Sequence, residues 1–149
     1  AYNGFNLLVG DADVLHYYSN RGDAPRAVDP GVHGVSNHLL DTPWPKVERG
    51  KRALAGLIAG GGPVEVEALF EILADDARAL DDNLPATGVG LEAERMLSPV
   101  FIVSPTYGTR SSTVVLVGAD DRVTFVERAY DPRPRSWAEA DFQFRLGAD

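Results

Sequence analysis

Apolar residues recur along this chain in two rhythms. From Phe5 to Val9 and from Val14 to Ser19 they run in short blocks rich in β-branched and aromatic side chains. Gly10-Asp11-Ala12-Asp13 separates the blocks, which predicts a β-hairpin. Alternation puts His16 and Tyr18 on the face opposite Leu15 and Tyr17. Asn20-Arg21-Gly22-Asp23 follows as a turn, and residues 23 to 30, with Pro25 and Pro30, read as a loop. Val32 and Val35, set among glycines, read as a short strand ended by Ser36-Asn37, so Asn37 is expected at a strand exit.

The rhythm then becomes helical. Asp41 or Thr42 can cap a helix whose first turn tolerates Pro43 and Pro45. Val47, Leu54 and Ile58, with Leu57 at the margin, form its apolar stripe. Lys51 lies about 40° from Val47 on the helical wheel, so its ammonium must snorkel, pair or meet a ligand. Gly60-Gly61-Gly62-Pro63 is a stop and restart, and the spacing of Val66, Leu69, Phe70 and Leu73 predicts a second helix over residues 63 to 75. The acidic run from Asp75 to Pro85 reads as a solvated loop, its paired aspartates lacking any regular metal-ligand spacing. Leu91 to Leu97 reads as a short helix closed by Ser98-Pro99.

The last third is β in pattern. Strands are predicted at Val100–Val103, Ser111–Val117 and Arg122–Ala129, the last two joined by Gly118-Ala119-Asp120-Asp121. Phe142, Phe144 and Leu146 alternate with Gln143 and Arg145 as a half-buried final strand. Thr113 to Val117 shows no polar alternation and is expected to be covered on both faces. Strands, then helices, then strands predict an α+β layered fold with largely antiparallel sheets.

Composition narrows the function classes. A chain of 149 residues suits one domain, and its net charge of −8 disfavours nucleic acid and anionic membranes as partners. No apolar run approaches the ~18 residues of a membrane-spanning helix, so stable membrane insertion is not expected. The absence of cysteine removes disulfides, thiolate metal sites and a cysteine nucleophile from this chain, and fits a cytoplasmic location. The first residues enter an apolar strand at once, without an initiator Met, as expected of a fragment.

Six motifs together carry a resemblance. Tyr2-Asn3-Gly4-Phe5-Asn6-Leu7, Asn20-Arg21-Gly22, Gly34-Val35-Ser36-Asn37, Thr42-Pro43-Trp44-Pro45-Lys46, Gly50-Lys51 and Tyr107-Gly108-Thr109-Arg110, the last running on to Val117, resemble the transport and Golgi organisation protein 2 family, also called the NRDE family. The family's opening Met-Cys and its Asn-Arg-Asp-Glu motif do not occur here, so residues 1 to 149 resemble the C-terminal part of a single family domain. The family is similar to N-terminal nucleophile hydrolases, which implies antiparallel sheets layered between outer helices (αββα), incomplete without the N-terminal segment. That segment of its own protein is the macromolecular partner implied.

By the same resemblance Asn37 falls where an asparagine lines an acyl site, and Lys51 or Arg49 where a basic residue approaches the nucleophile. Arg110 follows Tyr107-Gly108-Thr109 at a strand entrance, where its guanidinium can clasp a carboxylate or phosphate, or pair with one of the acidic residues. Asn20 and Arg21 are either a turn or a corner of the site, and Trp44 either packs between its prolines or lines the pocket beside Lys46. The family's links to haem trafficking and lipid homeostasis imply a small amphipathic anion as ligand, haem or a lipid thioester. The alternative is an amide hydrolase whose cysteine nucleophile lies on the absent segment. Haem would need an axial ligand, and among His16, His33 and His38 the neighbour of Asn37, His38, is the candidate. No catalytic residue and no metal site is assigned to this chain.

Overall fold

The computed structural model describes residues 2–132 and 135–147. Strands β1 (Asn6–Gly10), β2 (Leu15–Ser19) and β3 (Arg26–Ala27) form one antiparallel sheet in that order, with Leu8 opposite Tyr17. Helices α1 (Pro45–Ala59), α2 (Val66–Leu73) and α3 (Leu91–Leu97) follow, with a 3-10 turn at Asp81–Asn83. Strands β4 (Ser111–Val117), β5 (Arg122–Pro132) and β6 (Arg135–Arg145) close the chain as a second antiparallel sheet, with Val114 opposite Val126. This is the α+β layered architecture that the sequence pattern predicts.

The packed core lies between α2 and the second sheet. Phe70 is 2% exposed and rests on Val114 and Val126, with Val66, Leu69, Leu73 and Leu116 around it. Burying an aromatic of that size contributes several kcal/mol, so this contact fixes α2 on the sheet. Arg128 of β5 closes the rim: its guanidinium stacks 3.9 Å over the Phe70 ring while Glu67 and Glu139 accept its hydrogen bonds.

Several expectations are corrected. The segment expected as a strand at Val32–Val35 is irregular, because its backbone bonds are taken by its own turn and by side chains of the first sheet. Helix α1 starts later than Asp41 or Thr42: Trp44 stands at its cap and Pro45 at its first position. Its inward stripe is Val47, Leu54 and Leu57, whereas Ile58 is half exposed. Val100–Val103 forms no strand but a single bridge, Val103 to Gly108, with Thr109 closing a turn on Ile102. The expected loop over residues 23 to 30 contributes β3, and the acidic loop is pinned, Asp75 by Arg49 and Asp81 by Arg95.

The largest correction concerns the second sheet. Only one face of β4 is covered: Ser112 and Val114 are buried, while Val115 and Val117 remain about half exposed. The final strand is likewise exposed rather than half buried, with Phe142 and Phe144 both open to solvent. Alternate residues of a strand face opposite ways, so these side chains make one apolar outer face with Phe125.

Candidate ligand cavity

The loop between β3 and α1 is positioned by the first sheet. Tyr17 Oη donates to Asn6 Oδ1 at 2.7 Å and accepts Leu40 N–H at 3.0 Å. Asn6 Nδ2 donates to the carbonyls of Ser36 and His38. Three polar side-chain contacts thus replace the strand ladder that this segment lacks. Gly34 then lies against α1 so closely that a Cβ there would sit 2.8 Å from Val47 Cγ1. Only glycine fits without displacing the helix.

Asp41 ties the loop into a closed turn. Its backbone takes a left-handed conformation, φ 60°, which Asp tolerates better than most residues. From there its carboxylate accepts Lys51 Nζ at 2.9 Å, Gly34 N–H at 3.0 Å and His33 Nδ1–H at 2.6 Å. Burial alone would raise the Asp41 carboxyl, but these donors outweigh it and hold it at about 2. The other ring nitrogen, His33 Nε2, faces the Asp29 carbonyl at 2.9 Å. With acceptors at both nitrogens the imidazolium form is favoured, and its pKa is raised chiefly by the Asp41 bond. Lys51 is likewise raised, chiefly by its own hydrogen bond to the Asp41 carboxylate.

Beneath this turn lies a cavity of about 470 Å³. Its walls come from the loop (His33 to Ser36), α1, α2 and β4, and are largely apolar: Val47, Leu54, Leu69, Ile72 and Val114 are among them. Two lysines of α1 reach it, Lys46 and Lys51. Lys46 Nζ donates to the Leu97 carbonyl at the end of α3, at 2.8 Å. Burial lowers the Lys46 pKa, with the nearby Glu94 opposing the shift. Lys51 is therefore neutralised by a carboxylate, whereas Lys46 has an uncharged carbonyl as its hydrogen-bond acceptor.

The other sequence candidates lie elsewhere. Asn37 is exposed and outside the cavity lining, its Oδ1 accepting Ser36 Oγ–H. Arg110 is exposed at the start of β4, also outside the lining, and its carbonyl accepts Tyr130 N–H. Tyr107 and Thr109 belong to the turn before β4, where the Tyr107 carbonyl and Thr109 Oγ1 accept Ser104 Oγ–H and Ile102 N–H. Asn20 anchors the N-terminal segment by accepting Phe5 N–H and donating to the Asn3 carbonyl, and exposed Arg21 runs beside Gly4. Trp44 stands at the α1 cap with its ring 5.8 Å from that of His38, which also bonds Thr42 Oγ1. Arg49 is held by Asp75 and the Ala77 carbonyl. The structure therefore brings Lys46 and Lys51 together at one cavity and leaves Asn37 and Arg110 apart from it. His33 and Asp41 are the cluster residues that sequence reasoning did not single out. Among the described residues no group of His, Asp and Glu is arranged to hold a metal ion.

The fold and this cavity define a class: an α+β protein with an apolar, lysine-bearing pocket between a helix pair, a sheet and a strapped loop. The Transport and Golgi organisation 2 family model matches residues 1–132. The chain belongs to that family. It is similar to the Transport and Golgi organization protein 2 homologs of Bos taurus and Homo sapiens, each 36% identical over 159 aligned positions. The Drosophila melanogaster Transport and Golgi organization protein 2 is 30% identical over 162 positions. The match covers 97% of this chain but 58% of the bovine and human relatives, so the chain spans little more than half their length. Among the described residues no helix is long and apolar enough to cross a membrane.

Proposed function

We propose that this chain is the ligand-handling part of a Transport and Golgi organisation 2 protein and takes an amphipathic anion, haem or a lipid or acyl-thioester anion, into the cavity beneath the Asp41 turn. The observation that carries this reading is the pairing of apolar walls with Lys46, which donates to the Leu97 carbonyl and makes no ion pair among the described residues. An apolar body fits between α1, α2 and β4, and its anionic head meets the Lys46 ammonium. The names of the relatives, which speak of transport and Golgi organisation, suit a carrier. Its working location on this reading is cytoplasmic.

The part of the relatives' length that the chain does not match is, on this reading, the partner that covers the apolar outer sheet faces. The test is titration of the pure chain with hemin and, separately, with palmitate, read by Soret absorbance and by calorimetry. Saturable binding that falls about tenfold in Lys46→Met supports the reading. No saturable binding of either probe, or binding untouched by Lys46→Met and by Leu69→Arg in the cavity wall, overturns it.

A further inference from the structure

A second hollow, on the other side of α1, carries a different chemistry. It has a volume of about 450 Å³ and lies between the first two turns of α1 and the segment from Arg78 to Asn83. Arg49, Arg52 and Arg78 line it, against one carboxylate, Glu48. In a chain of net charge −8, with Arg49 paired to Asp75, the guanidiniums of Arg52 and Arg78 still outnumber the one lining carboxylate.

The three arginines do different jobs. Arg49 is structural: its Nε donates to Asp75 Oδ2 at 2.8 Å and its Nη2 to the Ala77 carbonyl at 2.6 Å, which clamps the segment after α2 against α1. Ala79 N–H is bonded to Ser98 Oγ and Asp81 to Arg95, so the far wall is fixed as well. The clamp fixes the segment that brings Arg78 to the hollow that Arg52 also lines. Both are exposed, and among the described residues neither makes a side-chain hydrogen bond or an ion pair. Among the described residues, by contrast, Arg49, Arg95, Arg122, Arg128 and Arg145 each hold a carboxylate. Two guanidiniums that line one concavity and have no carboxylate partner among the described residues leave room there for an anion from outside the chain.

We propose that the hollow lined by Arg52 and Arg78 binds the phosphoryl group of a soluble phosphate ester. Each planar fork can give two parallel N–H bonds to phosphate oxygens, and a tetrahedral dianion can accept from two forks at once. A carboxylate offers fewer oxygens and half the charge. Leu80, 75% exposed at the rim, gives the ester's organic part an apolar surface to rest on.

The test uses the whole chain and phenyl phosphate as probe, followed by calorimetry and by 31P line shifts. Saturable binding is expected, weakening about tenfold or more in each of Arg52→Ala and Arg78→Ala. Arg78→Lys keeps charge but loses the fork and should fall between, while Arg122→Ala, on the distant β4–β5 hairpin, should bind normally. Both lost groups are exposed, so melting temperatures should stay within a degree or two of the parent. Absence of saturable binding, or binding indifferent to Arg52 and Arg78, overturns the proposal. Cosedimentation with phosphatidic acid vesicles that depends on both arginines, without phenyl phosphate binding, overturns the soluble source and assigns the same chemistry to a lipid headgroup.

Discussion

Lys51 Nζ lies 2.9 Å from Asp41 Oδ1, joining the middle of α1 to the turn that roofs the cavity. The pair sits at the surface of the loop, and its partners are each about a quarter to a third exposed, so its worth is modest. What makes it matter is that the same carboxylate also holds Gly34 N–H and His33. Asp41→Asn keeps the tolerance for positive φ but loses the charge. It should cost about 1 kcal/mol at neutral pH, measured by urea unfolding, and leave the far-UV spectrum unchanged.

The acid limb of stability should carry the same signature. Asp41 is held at about 2 in the folded chain, below the ordinary value for a carboxyl. A depressed carboxyl stabilises above its unfolded pKa and loses that contribution as pH falls through the folded one. The parent should therefore lose stability between roughly pH 4 and pH 2 more steeply than Asp41→Asn. Parallel curves for the two proteins would show that the turn does not depend on this charge.

His33 works in the opposite sense. Its pKa is raised by the Asp41 bond and then by the Asp29 carbonyl, so the folded chain holds the proton more tightly than the unfolded one. The contribution is complete below about pH 6.5 and declines as pH rises through the folded value. An NMR titration of the His33 ring should give a midpoint above that of a free imidazole. In Asp41→Asn the midpoint should move back down.

How far the sequence carried this picture can be judged from particular segments. Helix α3 and the β4–β5 hairpin were legible because their signals are local: a capped apolar turn, and two β-branched blocks around Asp120-Asp121. Lys51 could be placed beside Val47 for the same reason, since a helical wheel needs only spacing. Residues 31 to 44 depart from their local pattern because Asn6 and Tyr17, far back in the chain, take up their backbone groups. No window on the sequence shows that. Asp41 looked like a helix cap and is instead the centre of a turn, a difference set by one positive φ. The apolar pattern of β4 and β6 states that both faces suit burial, but it does not say what lies against them.

Gly34 offers a test of the cavity roof. A methyl group added there would meet Val47 Cγ1 at 2.8 Å and Lys51 Cγ at 3.3 Å. Val47 is buried and cannot swing aside, so the loop or α1 must shift. Gly34→Ala should cost about 1–3 kcal/mol and lower the melting temperature by several degrees. Gly50→Ala, whose Cβ meets nothing within 4 Å, is the matching control and should be neutral or slightly stabilising.

The join between α2 and the second sheet should prove the most sensitive point of all. Phe70 is the most buried of the core side chains, and Arg128 roofs it at 3.9 Å. Phe70→Ala removes the ring from Val114 and Val126 and takes from Arg128 the nearer of its two ring contacts, at a cost of about 3–5 kcal/mol. That is a large share of the stability of a domain this size, so loss of the cooperative thermal transition is expected. Arg128→Met keeps much of the apolar contact and gives up the bonds to Glu67 and Glu139, and should cost less, about 1–2 kcal/mol. If Arg128→Met were the more damaging of the two, the ion pairs rather than the aromatic core would be holding α2 in place.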